Sequence, residues 1–249
     1  MMKLEQYLEQ IVNFLQDEVK KAHAKGLIVG LSGGVDSAVV ALLMKKAFPS
    51  NHLVLLMPCQ SPAIDLDYAN ELVKNHHLTS QLVNLDEVFL SFKKQLPSHL
   101  SATEAKTIFG NLKSRLRMST LYAYAQRYNY LVVGTSNADE WHTGYFTKYG
   151  DSGVDLLPLV NLVKADVFQA AQILKVPQAI ITRKPTASLW EGQTDEAEMG
   201  LTYHELDQFL LGDIKKLSDQ VQIKITTMHE HTEHKRKPIP QAPKWWSRN

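Results

Sequence analysis

The sequence predicts an α/β protein built on a doubly wound parallel sheet flanked by helices. Three observations carry that expectation. Short apolar runs alternate with helical patterns along most of the chain, the pattern of strands joined by crossover helices. The first of these runs opens into a glycine-rich turn followed by an apolar helix. The length of 249 residues suits one large domain, 1–249, and no repeat or long linker divides it.

Taken in order, Leu4, Tyr7, Leu8, Ile11, Val12 and Leu15 fall on one face of an amphipathic helix. Leu27, Ile28 and Val29 read as a buried strand, with 38–47 as the helix packed behind it. Further apolar runs at 53–57, 81–85 and 130–134 are expected strands. Helical patterns cover 67–76 and about 103–128. Another covers 164–174, and Pro177 starts a short helix. The polar, Gly- and Pro-containing stretch 182–200 reads as a long mobile loop. Helices over about 202–211 and 215–231 follow. The tail 235–249 is expected to be extended, because it carries Pro238, Pro240 and Pro243. Ligands of parallel sheets bind at the carboxyl ends of the strands, so the loops after Leu31, Met57 and Gly134 should share one crevice.

Composition narrows the function. Hydrophobic residues make up 44% of the chain and charged residues 21%, ordinary values for a globular protein. The net charge of +1 gives no broad basic field, so no nucleic-acid partner is expected. No apolar run reaches about 18 residues, so no membrane span is expected. The start, Met1-Met2-Lys3-Leu4-Glu5-Gln6, lacks the apolar core of a secretion signal. The single cysteine, Cys59, excludes an internal disulfide and a cysteine-only zinc site. A reducing, cytoplasmic setting follows as the expectation.

The turn Gly30-Leu31-Ser32-Gly33-Gly34-Val35-Asp36-Ser37 is the most informative segment. Gly33 and Gly34 have no Cβ to keep phosphate oxygens away from the backbone. The helix behind the turn offers unpaired N–H groups and the positive end of its dipole. It is not a Walker A loop, since no lysine occupies the required place. Asp36 would repel a phosphate unless a divalent cation joins the two. Gly134-Thr135-Ser136-Asn137-Ala138-Asp139-Glu140 lies at another expected strand end. Thr135 and Ser136 can donate to phosphate or ribose, and Glu140 is placed to meet the same cation; a turn capping the next helix is the alternative.

Three further segments carry chemistry. On the long helix, Asn111, Arg115, Met118 and Tyr122 share a face, while Arg117 points about 200° away from Arg115. Arg115 is therefore expected on substrate and Arg117 in a structural ion pair, although isolated arginines more often stay solvated. The run Thr147-Lys148-Tyr149-Gly150-Asp151-Ser152-Gly153-Val154-Asp155 packs charges and glycines into a turn. Lys164 starts a helix, where a lysine opposes the dipole, so it should have another partner, such as a leaving phosphate. Pro185-Thr186-Ala187 opens the last segment, and the acidic run 195–198 near its end suits a helix N-terminus.

In this order the segments resemble NAD+ synthetases of the ammonia-dependent type. The matching motifs are Ser-Gly-Gly-x-Asp-Ser, Asn-x-x-x-Arg-x-Arg-Met, Gly-Thr-Ser-Asn-x-x-Glu, Thr-Lys-Tyr-Gly-Asp, Pro-Thr-Ala and a late His234-Lys235-Arg236. The first motif alone is similar to the pyrophosphate loop of the wider ATP pyrophosphatases, whose adenine nucleotide α-hydrolase-like fold is Rossmann-like. The resemblance implies that the carboxylate of deamido-NAD+ attacks the α-phosphate of ATP, and that ammonia then displaces AMP from the acyl-adenylate. It also implies Mg²⁺ held by Asp36 and Glu140. ATP would meet Gly30, Leu31, Ser32, Gly33, Gly34, Val35, Asp36, Ser37, Thr135, Lys164 and Thr186. Deamido-NAD+ would meet Arg115, Tyr122, Lys148, Asp155, His234 and Lys235. Lys164 and Asp151 would be catalytic, Asp151 by orienting or deprotonating the incoming ammonium. A homodimer with the dinucleotide at its interface is implied, and no glutaminase domain is expected. The stretch Met57-Pro58-Cys59-Gln60-Ser61-Pro62-Ala63 departs from the family: the usual arginine is missing, and Cys59 falls at the crevice mouth as a small, buried thiol.

Overall fold

A computed structural model describes residues 2–96, 99–190 and 192–245. In chain order the elements are α1 (Leu4–Lys21), β1 (Gly26–Gly30), α2 (Val35–Ala47), β2 (His52–Leu56), α3 (Ala63–His76), β3 (Ser80–Leu82), α4 (Asp86–Lys93), α5 (Ala102–Tyr128) and β4 (Tyr130–Val132). Then come α6 (Ala138–Thr143), α7 (Lys164–Ile173), α8 (Gln178–Ile181), α9 (Asp195–Met199), α10 (Tyr203–Leu210) and α11 (Asp219–His231). Among the described residues the four strands are all parallel, in the order β3-β2-β1-β4. The expected class and the four strand positions hold.

Strand periodicity of two sends alternate residues to opposite faces. Leu27, Val29, Val54 and Leu56 join one core with α1, α2 and α7, which contribute Leu15, Leu43 and Val167. Ile28, Leu53, Leu55 and Val132 join a second core with α4 and α5, through Phe89, Leu121 and Ala125. Both sheet faces are thus covered, as parallel pairing requires. A smaller cluster of Met199, Leu201, Tyr203, Leu206 and Ile225 binds α9, α10 and α11 together. On α1 the expected stripe is buried at Leu8, Ile11, Val12 and Leu15.

Several details differ from expectation. α3 starts four residues before the expected 67, β3 ends at Leu82 rather than at 85, and α4 was not expected. α2 starts three residues early, because the glycine-rich turn ends at Gly34 as its N-cap. The fourth strand ends at Val132, and Val133 instead bridges to Leu156. The helix expected over 215–231 breaks: a 3₁₀ turn, Ile214–Lys216, precedes Ser218, whose hydroxyl caps α11. The stretch 182–200 is not all loop, since α9 forms at its acidic run. Beyond a 3₁₀ turn at Glu233–Lys235, residues 238–244 are irregular, as the prolines require, and 246–249 lie outside the described residues.

Candidate active site

The three strand-end loops do share a crevice. A cavity of about 460 Å³ is lined by Leu31, Met57 and Gly134 together with the glycine-rich turn, a size typical of small-ligand sites. All eight residues from 30 to 37 line it except Gly33, as do Thr135, Glu140, Asp151, Lys164, Thr186 and Lys235.

The turn is ordered by its own polar groups. Ser37 Oγ donates to the Gly34 carbonyl at 3.0 Å and accepts from Ser32 N at 3.2 Å. Ser32 Oγ accepts from Gly34 N at 3.2 Å. Gly33 adopts φ +81° with the backbone of Asp65 packed against its Cα, a place that only glycine fills without strain. The N-cap, Gly34, has no side chain to cap α2, and among the described residues no side chain accepts from its first N–H groups, so they are open to an anion.

Asp36 stands in the first turn of α2 and anchors a charged cluster. Its Oδ1 accepts from Asn137 Nδ2 at 2.9 Å, and its Oδ2 from Lys164 Nζ at 2.6 Å. Glu140 Oε1 is 3.9 Å from the same ammonium. Lys164 is almost fully buried, at 2% side-chain exposure. Burial works against its charge, but Asp36 and Glu140 outweigh burial and hold its pKa above the ordinary lysine value. The Glu140 carboxyl is pushed well up, first by burial and then by Asp36. Tyr203 OH lies 3.3 Å from Glu140 and 2.9 Å from Asp195. Lys164 sits at the first position of α7, where Asp139 and Asp207 accept from its backbone N–H at 2.7 and 3.1 Å. Those two carboxylates offset the unfavourable lysine at the helix start.

Asp36 and Glu140 fit a cation, because they already converge on one ammonium. Among the described residues no group of three or more His, Cys, Asp or Glu side chains assembles a metal site. The two carboxylates would therefore need phosphate oxygens and waters to complete a shell, the usual manner of Mg²⁺.

Not every expected residue reaches this cavity. Arg115, Tyr122, Lys148, Asp155 and His234 lie outside its lining. They form contacts beside it instead: Arg115 donates to the Lys148 carbonyl at 3.3 Å, Lys148 Nζ to the His234 carbonyl at 2.8 Å, and Tyr122 OH to Asp155 Oδ1 at 3.0 Å. Lys235 joins the two regions, donating to the carbonyls of Gly144 and Phe146 at 2.7 and 2.8 Å. Arg117 makes no ion pair among the described residues. It lines the cavity, which Arg115 does not, donating to the Met57 carbonyl at 3.2 Å and to Ser61 Oγ at 2.9 Å. The expectation failed because helix geometry gives a direction but not the neighbour found there, which is the end of β2. Cys59 is the small buried thiol expected, fully buried in the core beneath α4 and α5; it does not line the cavity, although Pro58 and Ser61 beside it do, and burial raises its pKa.

Sequence reasoning gave Asn137 and Asp195 only places at helix starts, which both occupy, and assigned no role to Tyr203, Asp65 or Arg183. Asn137 was findable, since Asn-x-x-Glu is a capping box and the box is formed with Glu140. The others meet the site only through tertiary packing.

A parallel sheet with a glycine-rich anion loop after its first strand, and a carboxylate from each of two strand ends, defines a nucleotide-phosphate site of the ATP pyrophosphatase class. Comparison with known proteins agrees. A family model described as NAD synthase matches residues 7–239. The NH3-dependent NAD+ synthetase of Mesoplasma florum is 49% identical over 99% of this chain and 100% of its own length. Among solved structures, NMN synthetase from Francisella tularensis matches with a TM-score of 0.91 at 40% identity, covering 98% of this chain and 100% of that one. The NH3-dependent NAD synthetase from Campylobacter jejuni matches with a TM-score of 0.81 at 28% identity, covering 98% and 100%. The chain belongs to the NAD synthase family.

Proposed function

We propose that this chain catalyses the ATP-dependent amidation of deamido-NAD+ by ammonia, giving NAD+, AMP and pyrophosphate. The observation that carries the reading is the Asp36–Lys164–Glu140 cluster set against a glycine-rich loop in one cavity. A free carboxylate is a poor electrophile, so its attack on the α-phosphate of ATP supplies a leaving group before ammonia arrives. The 30–37 loop, with Thr135 and Thr186, binds ATP. Lys164 meets the charge that builds on departing pyrophosphate. Mg²⁺ bound by Asp36 and Glu140 would neutralise phosphate charge. Asp151 orients the ammonium and takes its proton.

Arg115, Tyr122, Lys148, Asp155, His234 and Lys235 hold the dinucleotide; their contacts beside the cavity support a site that extends out of it. A homodimer with the dinucleotide at its interface is part of this reading. α4 and α5 leave Val88, Leu90, Phe92 and Ile108 exposed, an apolar surface that a second copy would cover. Sedimentation at several concentrations tests it. The chain acts as one synthetase domain using free ammonia, in the cytoplasm, where Cys59 stays a free thiol.

The test is pyrophosphate release from ATP, Mg²⁺ and deamido-NAD+, with and without ammonium. NAD+ should form only with ammonium; a nucleotide sensor would bind ATP and release nothing. The Francisella structure favours a second reading, in which the amide forms on the mononucleotide. Comparing kcat/KM for the two nicotinate nucleotides separates them, and the dinucleotide should be preferred.

A further inference from the structure

We propose that Arg183 is a phosphate-binding residue for ATP, held against Asp65 until the triphosphate takes that carboxylate's place. This rests on the reading above, in which the 30–37 loop holds the phosphates. Arg183 follows α8 on the segment leading to Thr186, and its side chain lines the cavity at 17% exposure. Its NH1 is 3.5 Å from the Gly33 carbonyl, so the guanidinium touches the loop itself. NH2 donates to Asp65 Oδ1 and, at 3.1 Å, to Ser188 Oγ. The face of the Tyr68 ring lies 5.5 Å from the guanidinium carbon and supports it.

A guanidinium has five N–H donors. Asp65 is met through NH2 alone, not by the two-pronged fork that arginine makes with carboxylate or phosphate at its strongest. Nε has no acceptor among the described residues. The group is thus a cation at the loop with donors to spare. Lys164, by contrast, is already engaged by two carboxylates.

Asp65 does not depend on the arginine. It stands in the first turn of α3, where the helix dipole favours a carboxylate. The exchange of partners therefore leaves Asp65 stabilised while phosphate gains a fork. Because Arg183 also bonds Ser188, the same contact fixes the segment that carries Thr186.

Titration calorimetry with Mg²⁺ and either ATP, inorganic pyrophosphate or AMP tests this on the intact protein. Arg183→Gln should bind ATP and pyrophosphate about tenfold more weakly or worse, the scale of a lost charge-assisted hydrogen bond. AMP, which lacks the outer phosphates, should bind within about twofold of the parent. Asp65→Asn frees the guanidinium and should bind ATP as tightly as the parent or more so. Arg183→Lys keeps the charge without the fork, so it should show a smaller loss confined to ATP and pyrophosphate; this variant decides the matter if the glutamine one does not fold. Unchanged ATP affinity in the Arg183 variants overturns the proposal. So does an equal loss of AMP binding, or a loss in Asp65→Asn that matches Arg183→Gln. If the parent protein binds no ATP, it is the proposed function that fails.

Discussion

At Asp151 the carboxylate is held from one side only. Its Oδ1 accepts from Ser114 Oγ at 2.7 Å and from Thr147 N at 2.9 Å, while Oδ2 has no protein partner among the described residues. A fixed carboxylate with one oxygen spare, lining the cavity, suits a group that orients ammonium and accepts its proton. Asp151→Asn keeps the shape and removes the base. Amide formation should fall by about 10²-fold or more, and pyrophosphate release without ammonium much less; equal loss in both assays would count against the role. Lys164 makes a different demand. Lys164→Met leaves Asp36 and Glu140 buried together without their cation, which should cost about 3–5 kcal/mol of stability as well as activity. Adding Asp36→Asn should restore much of the melting temperature but none of the turnover. Recovery of both would show that Lys164 only neutralises charge.

β2 illustrates how an element carries a pH dependence. His52 opens the strand at 1% exposure, with Nδ1 2.9 Å from the Phe48 carbonyl and Nε2 accepting from Thr79 N at 3.1 Å. One nitrogen donates and the other accepts, so the ring is neutral in the folded chain. Burial holds its pKa below the ordinary 6.5, and Lys45 adds to the effect against the raising influence of the Phe48 carbonyl. Between the lowered folded value and 6.5, the unfolded chain binds a proton that the folded chain refuses. Stability from this group is therefore level above about pH 6.5 and falls as pH drops below it. In urea unfolding, His52→Asn should be about 1–3 kcal/mol less stable than the parent at pH 7.5, with the gap narrowing toward pH 5. A constant gap would refute the assignment. Elements such as β2 were legible in the sequence because apolar runs and the glycine turn are local signals. α9 was half legible: the acidic run at 195–198 marked a helix start, but polar composition argued for loop. What stabilises this five-residue helix is remote. Asp195 accepts from Tyr203 and lies 3.2 Å from Tyr145 OH, contacts that no local pattern encodes. Arg117 was misassigned for the same reason, its acceptors lying 56 and 60 positions away in the chain.

For the whole molecule, the strand order explains where the charge collects. β2 and β3 lie to one side of β1 and β4 to the other, so the chain reverses its winding between β1 and β4, where such sheets bind ligands. Asp36 follows β1 and Glu140 follows β4, which brings carboxylates separated by a hundred residues to one opening. Among the described residues, six carboxylic side chains and five cationic ones line the cavity: Asp36, Asp65, Glu140, Asp151, Asp195 and Glu198 against Arg117, Lys164, Arg183, Lys184 and Lys235. Burial raises the pKa of Glu140 and Asp195, the direction expected where carboxylates crowd without enough cation. A triphosphate entering this balance is opposed unless positive charge comes with it, so ATP binding should be tightly linked to a divalent ion. With Mg²⁺ and ATP at about 100 times the dissociation constant, unfolding should become harder by about 2.7 kcal/mol. ATP with a chelator should leave the melting temperature near that of the free protein, and Mg²⁺ alone should shift it little, because two carboxylates make an incomplete shell. Asp36→Asn should remove most of the Mg²⁺-dependent increment. If ATP with chelator stabilises the protein as well as ATP with Mg²⁺, then Lys164 and Arg183 suffice for the phosphates, and Asp36 and Glu140 are not metal ligands.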